Sequence, residues 1–259
     1  MKILLLSCLG FYALTMSTFF PSEENKSVAK ADRCYEMRIY YAEPGKLEDL
    51  LARFRNHTTK IFEKHGMTNE GYWLPIDNKD NKLVYVLSYP SREARNNSWK
   101  SFGSDPEWKK VASESEKNGN LVAKVESFFM KTTDFSPKKI TKKGSANRVF
   151  ELRTYKATSG NLPALLSRFR DHTTKLFEKH GMTNLWYWTY TDKEQGADDM
   201  LVYILAHPSQ EAGLKSFEKF RDDPQWQKVR KESEDKAGGS LTVSVESLYM
   251  VPTDFSPVK

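Results

Sequence analysis

The chain has 259 residues, 39% of them hydrophobic and 13% aromatic, which is enough for two domain cores and excludes a disordered tail or a disulfide-stapled miniprotein. Its 40 basic and 34 acidic residues give a formal net charge of +6. Lysines are scattered among glutamates as on a solvated surface, so no nucleic-acid partner is expected.

Residues 1–20 stand apart. Lys2 precedes an apolar run over residues 3–14, followed by small and polar residues. This is the pattern of a secretory signal peptide, and it predicts an exported protein, periplasmic or extracellular. The run is short for a spanning helix, and no later stretch is apolar enough to cross a membrane. Cleavage after Thr15-Met16-Ser17 suits the length of the apolar region, whereas Ala29-Lys30-Ala31 has the better small-residue pattern. Loss of the leader removes Cys8 and leaves Cys34 as the only cysteine, so neither an intrachain disulfide nor a cysteine zinc site is expected. Cys34 has Val149 as its counterpart in the repeat described next, and packing is its expected role.

Residues 53–69 read RFRNHTTKIFEKHGMTN, and residues 168–184 read RFRDHTTKLFEKHGMTN, 115 positions later. The match extends outward. YEMRIY (35–40) aligns with FELRTY (150–155), LVYVLSYPS (83–91) with LVYILAHPS (201–209), DPEWKKV (105–111) with DPQWQKV (223–229), and VESFFMKTTDFSP (125–137) with VESLYMVPTDFSP (245–257). A period of this size is that of a domain. The division is residues 1–31 as leader and N-terminal segment, 32–137 as the first repeat, 138–147 as a lysine-rich linker containing Gly144-Ser145, and 148–259 as the second repeat.

Within one repeat, residues 35–41 alternate as a strand that Pro44-Gly45 ends. Leu47, Leu50, Leu51, Phe54, Thr58, Ile61 and Phe62 fall on one side of a helix that Gly66 stops. Tyr72-Trp73 opens a second strand, residues 77–81 form a hairpin loop, and residues 83–89 make a third strand. Ser91 caps a second helix, which is interrupted around Gly103 and restarts at Asp105-Pro106. Residues 121–130 are the fourth strand. The order β-α-β-β-α-β is the ferredoxin-like unit, and it occurs twice. In that unit both helices cover one sheet face, so the other face must be buried elsewhere. The economical solution packs the two sheets together as an intrachain pseudo-dimeric α/β barrel of α+β class, with the helices outside.

The ordered set E-L-R-T-Y (E-M-R-I-Y in the first copy), E-K-H-G-M, D-P-x-W and P-T-D-F-S-P (T-T-D-F-S-P in the first copy), seen in both repeats, resembles the NIPSNAP family. The resemblance implies tandem ferredoxin-like units pairing into the dimeric α/β-barrel arrangement. It also brings two functions into view. Related barrel families include oxygenases and isomerases, which points to a small organic ligand in the barrel cavity. Eukaryotic NIPSNAP proteins are linked to protein partners and mitochondrial quality control, which points to a non-catalytic scaffold. A barrel interior open to solvent would favour the first, and one filled by side chains the second.

The candidate site follows from strand alternation. With Tyr35, Met37 and Ile39 assigned to the helix side, Glu36, Arg38 and Tyr40 face the barrel interior, as do Glu151, Arg153 and Tyr155 in the second copy. A guanidinium, a carboxylate and a phenol then converge on a possible anionic small molecule, or form a buried ion pair that fixes sheet register. Glu126 and Glu246 on the fourth strands either join the cluster or face solvent. Trp73 and Trp188, with Tyr72 and Tyr187, are placed to stack a planar ligand or to fill the core. No catalytic residue is assigned, and no cofactor is expected. His57 and His65 lie about 12 Å apart along a helix and cannot share an ion, so no metal site is expected. His65 and His180 are placed as helix-end caps, and His57 and His172 as core histidines. A higher homo-oligomer remains compatible with the pattern.

Overall fold

The computed structural model describes residues 33–140 and 148–259; the segment read as a signal peptide and most of the 138–147 stretch read as a linker lie outside the described residues. The two repeats share one element order. The first runs β1 (Cys34–Ala42), α1 (Leu47–Arg53), a π turn (Phe54–Thr58), α2 (Thr59–Lys64), β2 (Thr68–Pro75), β3 (Lys82–Tyr89), α3 (Arg92–Ser104), α4 (Pro106–Ser115) and β4 (Val122–Thr132). The second runs β5 (Val149–Ala157), α5 (Leu162–Arg168), a π turn (Phe169–Thr173), α6 (Thr174–Lys179), β6 (Thr183–Tyr190), a short 3-10 turn (Lys193–Gln195), β7 (Met200–His207), α7 (Gln210–Asp222), α8 (Pro224–Ala237) and β8 (Thr242–Pro252).

Local chemistry sets these boundaries. Ser91 accepts a hydrogen bond from the Ala94 amide and Asp105 from the Glu107 amide, so each starts a helix. Gly66 and Gly181 sit at φ +76° and +80°, a conformation that costs a side-chain-bearing residue, and each ends its helix. Gly103 lies inside α3, and the break between the helices falls at Asp105 instead. The helix predicted to run unbroken to Gly66 is widened by a π turn. Thr58 and Thr59 donate to the carbonyls of Arg53 and Phe54, five residues back, which suits the wider turn.

The eight strands close into one barrel in the order β1-β3-β2-β8-β5-β7-β6-β4. Within each repeat the ladders are long; β1 alone pairs with β3 over eight residues. Between repeats they are short: Trp73 to Pro75 pair with Pro252 to Met250, and Met130 to Thr132 with Tyr190 to Trp188. The closing T-D-F-S-P segments reinforce these seams by crossing them. Phe255 packs on Phe54 and Tyr72, Ser256 accepts from the Tyr72 amide, and Asp254 pairs with Arg55. Reciprocally, Phe135 packs on Phe169 and Tyr187, Ser136 accepts from the Tyr187 amide, and Asp134 pairs with Arg170. Each repeat therefore completes the core of the other.

Three apolar layers result. Two lie between a half-sheet and its helices, centred on Phe54, Phe62 and Tyr85 and on Phe169, Phe177 and Tyr203. The third fills the barrel with Met37, Trp73, Val84, Val86, Phe150, Leu152, Trp186, Trp188, Val202 and Ile204. Tyr35 and Ile39 pack against that third layer, which inverts the face assignment drawn from alternation. Met37 and its strand neighbours point into the barrel, and Glu36, Arg38 and Tyr40 lie under the helices, as do Glu151, Arg153 and Tyr155. The physical reason is that both faces of β1 are buried. Alternation separates the two faces, but polarity does not say which one the helices cover. On that side Arg95 and Trp99 of α3 reach Glu36, whereas the barrel interior is lined by aliphatic and aromatic side chains. Trp73 and Trp188 are fully buried in the barrel core, so they are not a stacking platform for a ligand.

Candidate functional site between sheet and helices

Glu36 sits at the centre of the first repeat's polar cluster, with no exposed surface. Arg38 comes from the same strand face, Tyr89 from β3, Ser127 from β4, and Arg95 and Trp99 from α3. Arg38 Nη1 donates to Glu36 Oε1 at 2.6 Å, Arg95 Nη2 at 2.7 Å and Ser127 Oγ at 2.7 Å. Arg95 Nε, Tyr89 Oη and Trp99 Nε1 donate to Oε2 at 2.9, 3.0 and 3.1 Å. Burial alone would raise the carboxyl pKa, but the Arg95 hydrogen bonds and the Arg38 charge outweigh it and bring it down to about 2. Arg38 also donates Nε to Tyr85 and lies 4.4 Å over the Trp99 ring, so its charge is held on every side. The cluster is a closed ionic knot.

The second repeat has the same carboxylate with fewer partners. Glu151 receives Arg153 Nη1 at 2.6 Å, Ser247 Oγ at 2.6 Å and His207 Nε2 at 2.9 Å. Its pKa is again lowered; burial opposes the shift, and His207, Arg153 and Ser247 drive it. The partners that close the first site have been exchanged. Tyr89 becomes His207, Arg95 becomes Gly213 and Trp99 becomes Phe217. Arg153 Nε, Tyr203 Oη and His207 Nδ1 are all buried without a hydrogen-bond partner.

Beside this site is a cavity of about 260 Å³ between the half-sheet and its helices. Arg153, Tyr155 and Phe169 form its floor, Phe217, Phe220 and Trp226 its apolar wall, and Arg168, Arg221 and Arg230 its charged side, opposed by Glu234. Arg168 is 7% exposed, its Nε is unpartnered, and its contacts to Ser233 and Glu234 are long, at 3.3 and 3.6 Å. Burial lowers its pKa. Its twin Arg53 also has an unpartnered Nε but is held more closely at its terminal nitrogen, by Ser115 at 3.1 Å and Glu116 at 2.9 Å. Arg221 and Arg230 take the places of Gly103 and Ala112, so the charged rim belongs to the second repeat alone.

The remaining candidates separate from this site. His57 and His172 are exposed at the mouths of two equivalent outer clefts, of about 380 and 350 Å³, and are not core residues. His65 and His180 do sit at helix ends, yet each contacts the capping aspartate of the next helix pair, Asp105 at 2.6 Å and Asp223 at 2.7 Å, rather than terminal carbonyls. Glu126 lies away from Glu36, bonded to Lys124 and Tyr41, and Glu246 is exposed. Among the described residues no three His, Cys, Asp or Glu side chains are placed to hold a metal ion. No helix among them is long and apolar enough to cross a membrane. Sequence reasoning missed Tyr89, Arg95, Trp99, Ser127, His207 and Ser247. The available signal was the position-by-position difference between repeats: a charged and an indole side chain on α3 against glycine and phenylalanine on α7.

A closed antiparallel barrel with helices outside, built from two ferredoxin-like halves, is the dimeric α/β-barrel arrangement folded within one chain. Two solved structures share it: a candidate monooxygenase from Lactobacillus acidophilus (TM-score 0.56, 11% identity, 85% of this chain and 94% of that one) and an anthrone oxidase-like protein (TM-score 0.55, 12% identity, 89% and 95%). At these identities the likeness shows the fold. The NIPSNAP family model matches residues 35–137 and 150–257, and the chain belongs to the NIPSNAP family as a tandem protein. It is 25% identical over 226 residues to the human protein NipSnap homolog 3A, covering 87% of this chain and 85% of that protein.

Proposed function

We propose that this protein binds a small organic anion with an apolar or aromatic body in the sheet–helix cavity of its second repeat, and that it does so after export. The observation that carries the reading is Arg168, a buried guanidinium lining that cavity 5.1 Å over the Trp226 ring, with an unpartnered Nε and only long polar contacts to its neighbours. A buried cation so poorly satisfied gains from an incoming carboxylate, and Phe217, Phe220 and Trp226 supply the apolar wall for the rest of the ligand. The first repeat closes its equivalent carboxylate with its own Arg95 and Trp99, so one ligand per chain is expected.

Thermal melts against a panel of aromatic and aliphatic carboxylates test this. The parent is expected to be stabilised by a subset of the panel. Arg168→Met should weaken that binding at least tenfold, or about 1.4 kcal/mol, while the unliganded protein melts near the parent. Absence of any ligand-dependent shift in the parent rejects the site. Export rests on Lys2 and the apolar run 3–14, and N-terminal sequencing of protein from its native host should find a start between about residues 18 and 32. A second reading, a non-catalytic interaction module, draws support from the barrel interior being filled with side chains.

A further inference from the structure

The two repeats treat their fourth strands differently. Beyond the short seams, the N-terminal halves of β4 and β8 hydrogen-bond to one neighbour only, β1 and β5. A strand edge of this kind presents unpaired N–H and C=O groups to solvent. On β4 the stretch of that edge at Ser127–Phe129 is covered by the loop between β6 and β7, which is three residues longer than its twin between β2 and β3, while Val125 remains 42% exposed. Gln195 from this loop accepts from the Phe129 amide at 3.1 Å and donates to the Ser127 carbonyl at 2.6 Å. Its side-chain carboxamide thereby makes the two bonds that a neighbouring strand's peptide group would make. Asp192 anchors the same loop to Arg92.

On β8 the equivalent groups are the Tyr249 amide and the Ser247 carbonyl. The shorter loop over residues 76–81 provides the Ile76 amide to the Tyr249 carbonyl and, among the described residues, no counterpart of Gln195. Exposure follows: Ser127 and Glu126 are half-buried, whereas Ser247 and Glu246 are exposed. The side chains along this edge carry a pattern. Val243 and Val245 are 67% and 44% exposed. Glu126 is neutralised by Lys124 at 2.5 Å, but Glu246 has Ser244 in that position and no cationic partner among the described residues.

We infer that the β8 edge docks an extended peptide segment of another protein, adding it as a strand, with apolar residues against Val243 and Val245 and a lysine or arginine opposite Glu246. Main-chain hydrogen bonds supply the affinity of such pairing, and alternate side chains supply the selection. Of Val243, Val245 and Glu246, only Val245 lines the cavity proposed above, and the backbone pairing does not depend on a ligand there.

A fluorescent, end-blocked probe peptide Thr-Val-Lys-Val-Thr-Val-Thr, titrated against the full chain by anisotropy, tests this. Saturable binding is expected, and Val245→Pro, which removes an outward-facing amide without touching the β5 ladder, should weaken it at least tenfold. Because Val245 also borders the cavity, the surface variant Glu246→Lys provides the second arm. It should lose the lysine probe and bind a probe carrying glutamate in its place. The inference is overturned if the parent ignores the probe, if the charge swap has no effect, or if light scattering shows a dimer that Val245→Pro dissociates, since the edge would then serve a second copy of this chain.

Discussion

Glu36 and Glu151 occupy the same position of the same strand in two halves of one barrel, yet their surroundings have diverged. The first carboxylate is matched by two guanidiniums, an indole, a phenol and a hydroxyl, all from the protein. The second keeps one guanidinium, a histidine and a hydroxyl, and the arginines peculiar to its repeat stand at the rim of a cavity instead. A buried charge must be satisfied wherever it occurs, so the shared carboxylate is a structural demand of the fold. What differs is whether the neighbouring space is filled by the chain or left for something else. The first half carries the fuller set of partners and the second a reduced one.

Removing the carboxylate gives the strongest contrast. Glu36→Ala strands Arg38 and Arg95 together and should cost about 3–5 kcal/mol in urea unfolding, while Glu151→Ala strands one arginine and should cost clearly less. Equal losses would erase the distinction. Acid titration sharpens it. Glu36 has a folded pKa of about 2, against about 4.3 unfolded, so it contributes roughly 3 kcal/mol. Because the folded pKa is the depressed one, that contribution is complete above the unfolded value and disappears as pH falls through about 2. Glu36→Gln should flatten stability over that window, and Glu151→Gln should do so less. Exchanging filler is the next test. A Cβ at Gly213 would lie 3.0 Å from His207 Cγ and Tyr249 Oη, so Gly213→Ala should cost about 1–3 kcal/mol, whereas Gly103→Ala, with open space at its Cβ, should be neutral or stabilising. The smallest effect concerns the shared serines. Each removal costs about 1 kcal/mol, with Ser247→Ala exceeding Ser127→Ala because Ser247 supplies one of three bonds rather than one of six.

The repeat, the order of elements and the closure of two sheets into one barrel were legible in the sequence, because periodicity and the need to bury a second sheet face determine them. The cluster itself was legible too: Glu36 with Arg38 and Glu151 with Arg153 are bonded as strand spacing requires. Its side of the sheet was not. Strand β3 is buried on both faces and carries no alternation, so it offers no clue to which face of β1 looks inward. The helix partners also escaped notice, because Arg95 and Trp99 reach Glu36 across about sixty positions of sequence, and no local pattern records such a meeting. The six polar partners become visible only when the repeats are laid over each other and their differences are read at equal positions.

The seams between the halves have a consequence for how such a protein changes. Were the barrel assembled from two identical chains, every substitution would appear in both halves at once. Arg95 would face its own copy's duplicate site, and Gly213 could not coexist with it. Covalent fusion through the 138–147 segment makes each substitution a single event. It also makes the crossing of Phe255 and Phe135 an intramolecular exchange, insensitive to dilution. A scarce protein of this build would therefore keep its barrel closed at concentrations where two separate halves would drift apart.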